Sequence, residues 1–253
     1  MKNLALHWKI IIGMLLGVIY GISAHSLGFN DFTTDWIKPW GVIFVNLLKL
    51  IAVPLVFASL IKGVASLSDI TRLSKIGSRT VLLYLFSTVL SVSIGLFLVN
   101  TFKPGNSFSE EKKYELREKY SSKADLKIND AKSVEENGPL QFVVDIVPVN
   151  IISSASENKN MLQIIFFAIL FGISIIVIPD EKTIYVRGFF DGINDIILYI
   201  VNLIMKFAPY GVFALLASLV VDFGASIDLF LALGYYSVTV TLGLLLMIFV
   251  FYP

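Results

Sequence analysis

The segment from Thr80 to Phe102 contains 23 residues and no charged side chain. An α-helix needs about 20 apolar residues to cross the hydrocarbon core of a bilayer. Five further segments are long and predominantly apolar, some with an isolated charge or proline: 10–27, 40–61, 161–178, 182–221 and 229–252. None shows the alternation of period two that is typical of membrane β-barrels. The sequence therefore predicts an all-α, polytopic integral membrane protein with six transmembrane helices.

The segment 182–221 is compatible with two interpretations. Its apolar residues form two runs, 196–205 and 207–221, with Lys206 between them and Pro209 shortly after. Proline inside a helix removes a backbone donor and bends the helix. We expect one long, bent or tilted helix, with two shorter segments as the alternative.

Charged residues are concentrated in a single segment. The chain has 20 Lys and Arg and 19 Asp and Glu, and 16 of these charges, eight of each sign, lie within 103–139. Such a composition favours a mobile hydrophilic loop. The formal net charge of +1 provides no basic field, so nucleic acid is not an expected partner. The absence of cysteine excludes disulfides and thiolate metal sites.

The distribution of Lys and Arg predicts the orientation, because short cytoplasmic loops carry an excess of positive charge. With the N-terminus inside, eight basic residues are cytoplasmic and two are outside. The cytoplasmic ones are Lys2, Lys9, Lys62, Arg72, Lys75, Arg79, Lys182 and Arg187, and the outer ones are Lys38 and Lys159. This predicts a plasma (inner) membrane protein with both chain ends in the cytoplasm and the loop 103–139 outside.

A row of hydroxyl groups occurs within the third span. Tyr84, Ser87, Thr88 and Ser91 recur at i, i+3, i+4 and i+7, so they share one helical face. Hydroxyl and carbonyl oxygens can replace the water around a hard cation. Ser and Thr also pack membrane helices together, which is the commoner use. The pattern alone leaves both roles open.

Other polar residues near the spans have structural and functional alternatives. Lys49 lies near the middle of the second span, where a lysine costs about 2.5–3.5 kcal/mol on insertion scales. The functional interpretation of Lys49 is an ion pathway or an interhelical salt bridge. The structural interpretation is that its side chain snorkels toward the membrane surface or pairs with a backbone carbonyl freed by Pro54. Asp191, Asn194 and Asp195 share a face at the start of the fifth helix, where a solvated helix start is the default.

No set of residues indicates catalysis. His7 and His25 lie near predicted interfaces with no second ligand at metal-binding spacing, so no metal site is expected. Asp222 and Asp228 flank the last loop, and we expect them to be solvated. The sequence has no Ser-His-Asp order, phosphate-binding loop or GxGxxG motif. We therefore expect no enzyme, no catalytic residue and no cofactor.

Four segments in order resemble the dicarboxylate/amino acid:cation symporter family, which has the glutamate-transporter fold. LLKLIAVPLVFASLIKGVASLSD (Leu47–Asp69) resembles its second helix and YLFSTVLSVSIGLFLVNTFKPG (Tyr84–Gly105) its third. DIVPVN (Asp145–Asn150) with MLQIIFFAILFGISI (Met161–Ile175) resembles its irregular fourth element, and KFAPYGVFALLA (Lys206–Ala217) its fifth. The resemblance covers only the front part of the family's pattern.

The resemblance implies a division of labour among the helices. A trimerising scaffold would comprise 1–79, with the first two helices, and 140–221, with the irregular fourth and long fifth helices. A moving transport domain would include the third helix, 80–102, and the sixth, 222–253, in an elevator mechanism. The segment 103–139 would be the variable loop between the third and fourth helices. The expected partners are the lipid bilayer and, through the second, fourth and fifth helices, two further copies in a homotrimer.

The same resemblance implies the function and part of a site. It suggests a symporter of acidic amino acids or C4-dicarboxylates driven by Na⁺ or H⁺. Tyr84, Ser87 and Thr88 match the family's cation-binding Tyr-x-x-Thr-Ser pattern, with Ser and Thr exchanged. No substrate-binding residue carries over to this chain, so we expect a truncated N-terminal portion that does not transport alone. The alternative is a non-transporting membrane scaffold or assembly subunit.

Overall fold

The computed structural model describes residues 4–67, 70–103, 140–224 and 227–251, with five isolated positions between 114 and 128. No strand occurs among these residues, and six helices in them are long and apolar enough to cross a membrane. The predicted all-α polytopic fold is confirmed. The expected mobile loop 103–139 lies almost wholly outside the described residues, and the five isolated positions described between 114 and 128 are helical.

The six helices that are long enough to span a membrane are labelled α1 to α6 in chain order. They are α1 (Leu6–Ser26), α2 (Lys38–Ala65), α3 (Ile70–Phe102), α4 (Met161–Val177), α5 (Asp180–Asp222) and α6 (Ile227–Leu246). A helical turn, Asn30–Phe32, and a π-helical turn, Thr33–Ile37, lead into α2, and a second π-helical turn, Met247–Phe251, continues α6.

Two helices depart from the predicted bounds in informative ways. Helix α3 begins at Ile70, ten residues before Thr80, because hydropathy marks the apolar part of a helix and not its polar extension. Helix α5 runs without interruption for 43 residues, or about 65 Å, with Pro209 inside it. The prediction of one long helix across 182–221 is therefore confirmed.

The chain divides into two compact units. The first contains residues 1–75 and 140–225, and so holds α1, α2, α4 and α5. The second contains residues 76–139 and 226–253, and so holds most of α3 together with α6. The connection before α4 belongs to the first unit and contains the short helices Gln141–Ile146 and Ile151–Ala155 and a 3₁₀ turn, Asn158–Asn160.

Helix α5 is the centre of the first unit, because it packs against both α1 and α2. On α1, the buried residues Gly13, Gly17 and Gly21 form a stripe facing α5. A β-carbon at Gly13 would lie 2.5 Å from the carbonyl oxygen of Pro209. Small residues at such spacing let membrane helices approach closely where no hydrophobic effect drives them together.

Helix α2 packs along α5 through two apolar clusters. One is centred on Phe44, Ile51, Ile204 and Ala208, and the other joins α4 as well. The second cluster consists of Ala58, Ile61, Ala65, Ala168, Ile175, Phe190 and Ile197. These contacts determine which side chains near the helix ends can reach each other.

Candidate functional site

The predicted cation-binding residues lie on α3 in the second unit. Tyr84 and Thr88 are exposed, and Ser87 is half-buried. The Ser87 hydroxyl donates to the carbonyl oxygen of Tyr84 at 3.1 Å. The Ser91 hydroxyl donates to the carbonyl oxygen of Ser87 at 2.7 Å and lies 3.9 Å from Met247 Sδ. The hydroxyl row thus divides, since Ser91 contacts the end of the sixth span while Tyr84 and Thr88 remain exposed.

A crevice of about 300 Å³ separates α3 from the sixth span within the second unit. Ser91, Gly95, Thr239, Gly243 and Met247 are among the residues that line it. The two helices approach each other at Gly243, where a β-carbon would lie 3.1 Å from the Leu98 side chain. The residues that line this crevice supply hydroxyl, thioether and apolar groups and no carboxylate.

The chemistry of this face suits a hard cation but does not complete a site. Hydroxyl and carbonyl oxygens of α3 are ligands of the required type. Among the residues that the structure describes, no group of three or more His, Cys, Asp or Glu side chains could hold a metal ion. The cation-binding role of Tyr84, Ser87 and Thr88 therefore stays a prediction.

The ends of α2 and α5 are joined by an ion pair that the sequence analysis missed. Lys38 Nζ lies 2.7 Å from Asp222 Oδ2, and both side chains are partly buried. The expectation that Asp222 is simply solvated is wrong, because α2 and α5 are antiparallel and the start of one meets the end of the other. One signal for this ion pair was available in the sequence. The predicted orientation places Lys38 and the end of the fifth helix on the same side of the membrane. The side chain of Asp228 lies outside the described residues.

At the opposite ends of the same two helices, Lys62 contacts two carboxylates. Lys62 Nζ lies 3.4 Å from Asp191 Oδ1 and 3.5 Å from Asp195 Oδ1. Both carboxylates are exposed, as expected, but Asn194 between them is buried. Asn194 Nδ2 lies 3.4 Å from Asp195 Oδ1 and can donate to it. The predicted solvation is therefore confirmed for the two acids and wrong for Asn194. The predicted position at the helix start is wrong, because α5 begins at Asp180, eleven residues before Asp191.

Lys49 is exposed, and its backbone takes part in a contact between elements. The carbonyl oxygen of Lys49 accepts a hydrogen bond from Asn158 Nδ2 at 3.3 Å. Within the described ranges, no ion pair involves the Lys49 side chain, so the structure does not support the interhelical salt bridge. The contact instead ties α2, a few residues before Pro54, to the connection that leads into α4.

That connection is held by polar side chains. Asn150 Oδ1 accepts from the backbone nitrogen of Ile152 at 2.9 Å and so caps the short helix Ile151–Ala155. Ser154 donates to Gln163 Oε1, and Gln163 Nε2 donates to the carbonyl oxygen of Asp145 at 3.0 Å. These bonds attach the irregular segment to the first turn of α4. The local capping residues were visible in the sequence, but the partners of Gln163 were not.

Curated proteins similar to this chain are transporters. A proton/sodium-glutamate symport protein of Geobacillus stearothermophilus is 35% identical over 226 residues, which cover 88% of this chain and 51% of the relative. A proton/glutamate-aspartate symporter of Escherichia coli (strain K12) is 31% identical over 89% of this chain and 52% of its own length. A C4-dicarboxylate transport protein of Bacillus subtilis (strain 168) is 29% identical over 88% of this chain and 49% of its own length.

The chain thus spans about half the length of the curated relatives it matches. The sequence profile of the sodium:dicarboxylate symporter family matches residues 6–253, from the first turn of α1 onward. The match includes all six spanning helices, which agrees with an integral multi-pass membrane protein. The chain belongs to the sodium:dicarboxylate symporter family.

Proposed function

We propose that these helices serve a cation-coupled symporter of acidic amino acids or C4-dicarboxylates. The family match over residues 6–253 carries the proposal, and the relatives are named as glutamate, glutamate-aspartate or C4-dicarboxylate transporters. Because the chain spans about half of each relative, the activity is proposed for these helices together with the remaining half of such a transporter.

The proposed mechanism is an elevator in which one set of helices moves against another. Its structural support is the division into two units, since α1, α2, α4 and α5 cluster together and α3 clusters with α6. The first unit would be the static scaffold, and the second would belong to the mover. Glycine contacts and the ion pairs of Lys38 and Lys62 tie α1, α2 and α5 together, as a static element requires.

The scaffold is further proposed to form a homotrimer through α2, α4 and α5, in a plasma membrane with the chain's N-terminus in the cytoplasm. Tyr84, Ser87 and Thr88 would contribute oxygens to a coupling-ion site on the mover. The names of the relatives include both protons and sodium as coupling ions, so either ion is compatible with this proposal.

A chimera tests the function directly. Residues 6–253 would be joined to the second half of the Geobacillus relative, reconstituted in proteoliposomes, and assayed for uptake of labelled glutamate, aspartate and succinate under Na⁺ or H⁺ gradients. We expect gradient-driven uptake by the chimera and none by the 253-residue chain alone. Robust uptake by the chain alone would refute the proposed need for a second half. A folded chimera that binds and transports none of these substrates would refute the proposed substrate class.

The alternative function is a non-transporting membrane scaffold. The close packing of α5 against α1 and α2 favours it, because the first unit has extensive contacts of its own. Crosslinking of the chain in mild detergent tests whether the scaffold assembles by itself, and the uptake assay of the chimera separates a scaffold from a transporter. A stable trimer supports an independent scaffold, whereas monomers only would argue against it.

A further inference from the structure

At one end of the first unit, α2, α4 and α5 enclose a recess of about 170 Å³. Lys62, Ser66, Arg187 and Asp191 are its polar lining residues. The volume is several times the roughly 30 Å³ that a water molecule occupies in the liquid, so a group as large as a phosphate fits. The recess is therefore large enough and polar enough to receive a charged headgroup.

The positive and negative side chains beside this recess differ in exposure. The side chains of Lys62 and Arg187 are 38% and 34% exposed, whereas those of Asp191 and Asp195 are 56% and 73% exposed. The cations are thus the more enclosed groups, and the two more exposed carboxylates beside Lys62 are called the carboxylate rim. A ligand that carries a negative group followed by a positive group would match this order.

Arg187 retains hydrogen-bonding capacity. One of its terminal nitrogens, Nη2, lies 2.8 Å from Asp180 Oδ1 and donates to the carbonyl oxygen of Ile175 at 3.3 Å. Its Nε is buried and has no hydrogen-bond partner among the described residues. A buried donor without a partner is costly, and an acceptor reaching Arg187 would relieve that cost.

An apolar cavity of about 470 Å³ lies next along the same helices. Pro54, Phe57, Phe167 and Ile197 are among its lining residues, and all of the lining side chains are apolar. Phe190 lines both the cavity and the recess. On α2, Ala58 of the cavity and Lys62 of the recess are four residues apart, or about 6 Å along the helix.

We propose that the recess and the cavity together bind one zwitterionic phospholipid with a phosphoethanolamine headgroup. The phosphate lies toward Lys62 and Arg187, the ammonium group lies toward Asp191 and Asp195, and one acyl chain occupies the cavity. An apolar cavity does not hold water but does accept apolar ligands. Because these helices are long and apolar enough to cross a bilayer, lipid acyl chains are apolar groups that can reach the cavity.

The charges favour this headgroup over the other common ones. Three carboxylates, of Asp180, Asp191 and Asp195, surround the two cations, so an anionic lipid would add to an excess of negative charge. A choline headgroup neutralises its own phosphate but has no N–H to donate to the carboxylates. An ethanolamine ammonium group carries three donors, and hydrogen bonds between charged groups are the strong ones.

Native mass spectrometry of the delipidated chain tests the proposal. The chain would be mixed in turn with dioleoyl-phosphatidylethanolamine, dioleoyl-phosphatidylcholine and dioleoyl-phosphatidylglycerol in detergent. We expect one ethanolamine lipid to be retained about tenfold more tightly than either of the others, as loss of one charged hydrogen bond implies. Lys62→Gln and Arg187→Gln should each weaken retention of the ethanolamine and choline lipids alike, while Lys62→Arg should preserve it. The double variant Asp191→Asn/Asp195→Asn should abolish the preference for ethanolamine over choline, because it removes the two carboxylates beside Lys62.

Two further variants separate this site from general lipid adhesion. Ala155→Phe would fill the apolar cavity, whose lining includes Ala155, and should weaken retention of the ethanolamine lipid without altering the headgroup residues. Lys49→Gln is the matched control, because Lys49 is an exposed lysine on α2 outside the recess, and it should change nothing. Circular dichroism checks that each variant is folded.

Several results would overturn the proposal. Equal retention of the choline lipid would remove the role of the carboxylate rim, and preferential retention of the glycerol lipid would indicate an anionic site. Loss of an oligomer rather than of lipid in Ala155→Phe would show that a second copy of the chain fills the cavity. Failure of the unmodified chain to retain any of the three lipids would refute the site itself.

Discussion

Gly17 of α1 lies so close to α5 that a β-carbon on it would be 2.6 Å from the carbonyl oxygen of Phe213. The contact joins the first helix to the central helix of the first unit through backbone alone. Neighbouring glycines on α1 make the same kind of approach one turn away on either side. The helix pair is therefore held by close fit, and added side-chain volume should disturb it.

Gly17→Leu should destabilise the first unit, because the new side chain has no space beside Phe213. Overpacking of this kind costs about 2 kcal/mol. Thermal unfolding in detergent, followed by circular dichroism, should show a clearly lower Tm. Gly63→Ala is the control, since a β-carbon at Gly63 meets nothing within 4 Å and alanine favours the helix. Equal Tm values for the two variants would contradict the packing argument.

The ion pair between Lys38 and Asp222 should show a measurable coupling. Both side chains are partly buried where the start of α2 meets the end of α5, so their attraction is less screened than on an open surface. A double-mutant cycle with Lys38→Ala and Asp222→Ala should give a coupling energy of about 1 kcal/mol. The more exposed pair of Lys159 and Glu157 should give a smaller value in the same cycle. The reverse order would disprove the importance of the first pair.

The two carboxylates beside Lys62 should substitute for each other. Asp191→Asn or Asp195→Asn alone leaves one carboxylate within ion-pairing distance of Lys62, so each single change should lower Tm little. The double variant leaves Lys62 without either partner, and its fall in Tm should exceed the sum of the single changes. Exposed charges are screened by salt, and the Debye length in 1 M NaCl is about 3 Å. The excess fall in Tm of the double variant should therefore shrink at that salt concentration. Strict additivity at low salt would show that the two acids act independently.

The hydroxyl groups of α3 should influence ion coupling in the chimera described above. If Ser87 and Thr88 supply cation ligands, Ser87→Ala or Thr88→Ala should raise the half-saturating concentration of the coupling ion about tenfold, by loss of one charged interaction. Tyr84→Phe tests the phenolic oxygen in the same assay. Ser93→Ala is the control, because Ser93 lies outside the row and its hydroxyl donates to the carbonyl oxygen of Val89. An equal shift in the control would indicate a general effect on α3.

Predictions based on one helix at a time agree well with the structure. The apolar run from Thr80 to Phe102 became the apolar part of α3, and 182–221 became one continuous α5 despite Pro209. Both follow from the thickness of a bilayer and from the backbone hydrogen bonds that a helix satisfies internally. The start of α3 at Ile70 was missed because polar residues extend a helix without leaving a hydropathy signal.

Predictions about partners were less successful. The row from Tyr84 to Ser91 was correctly recognised as spanning successive helical turns, but only the structure divides it between an exposed part and a contact with Met247. Asp222 and Asn194 were treated as solvated because their neighbours in space are remote in sequence. Lys38 is 184 residues from Asp222, and no local pattern reports such a distance.

The sequence by itself determined that the chain is helical, that six segments can cross a membrane, and that 16 of the 39 charged residues lie in the single segment 103–139. Those properties follow from local hydropathy and from the need to satisfy backbone groups in lipid. The tertiary structure alone decided that α5 lies between α1 and α2, that glycines face carbonyl oxygens, and that Lys62 meets two carboxylates. Those relationships depend on which helical faces meet, and the rotation of one helix against another is set by packing between remote segments.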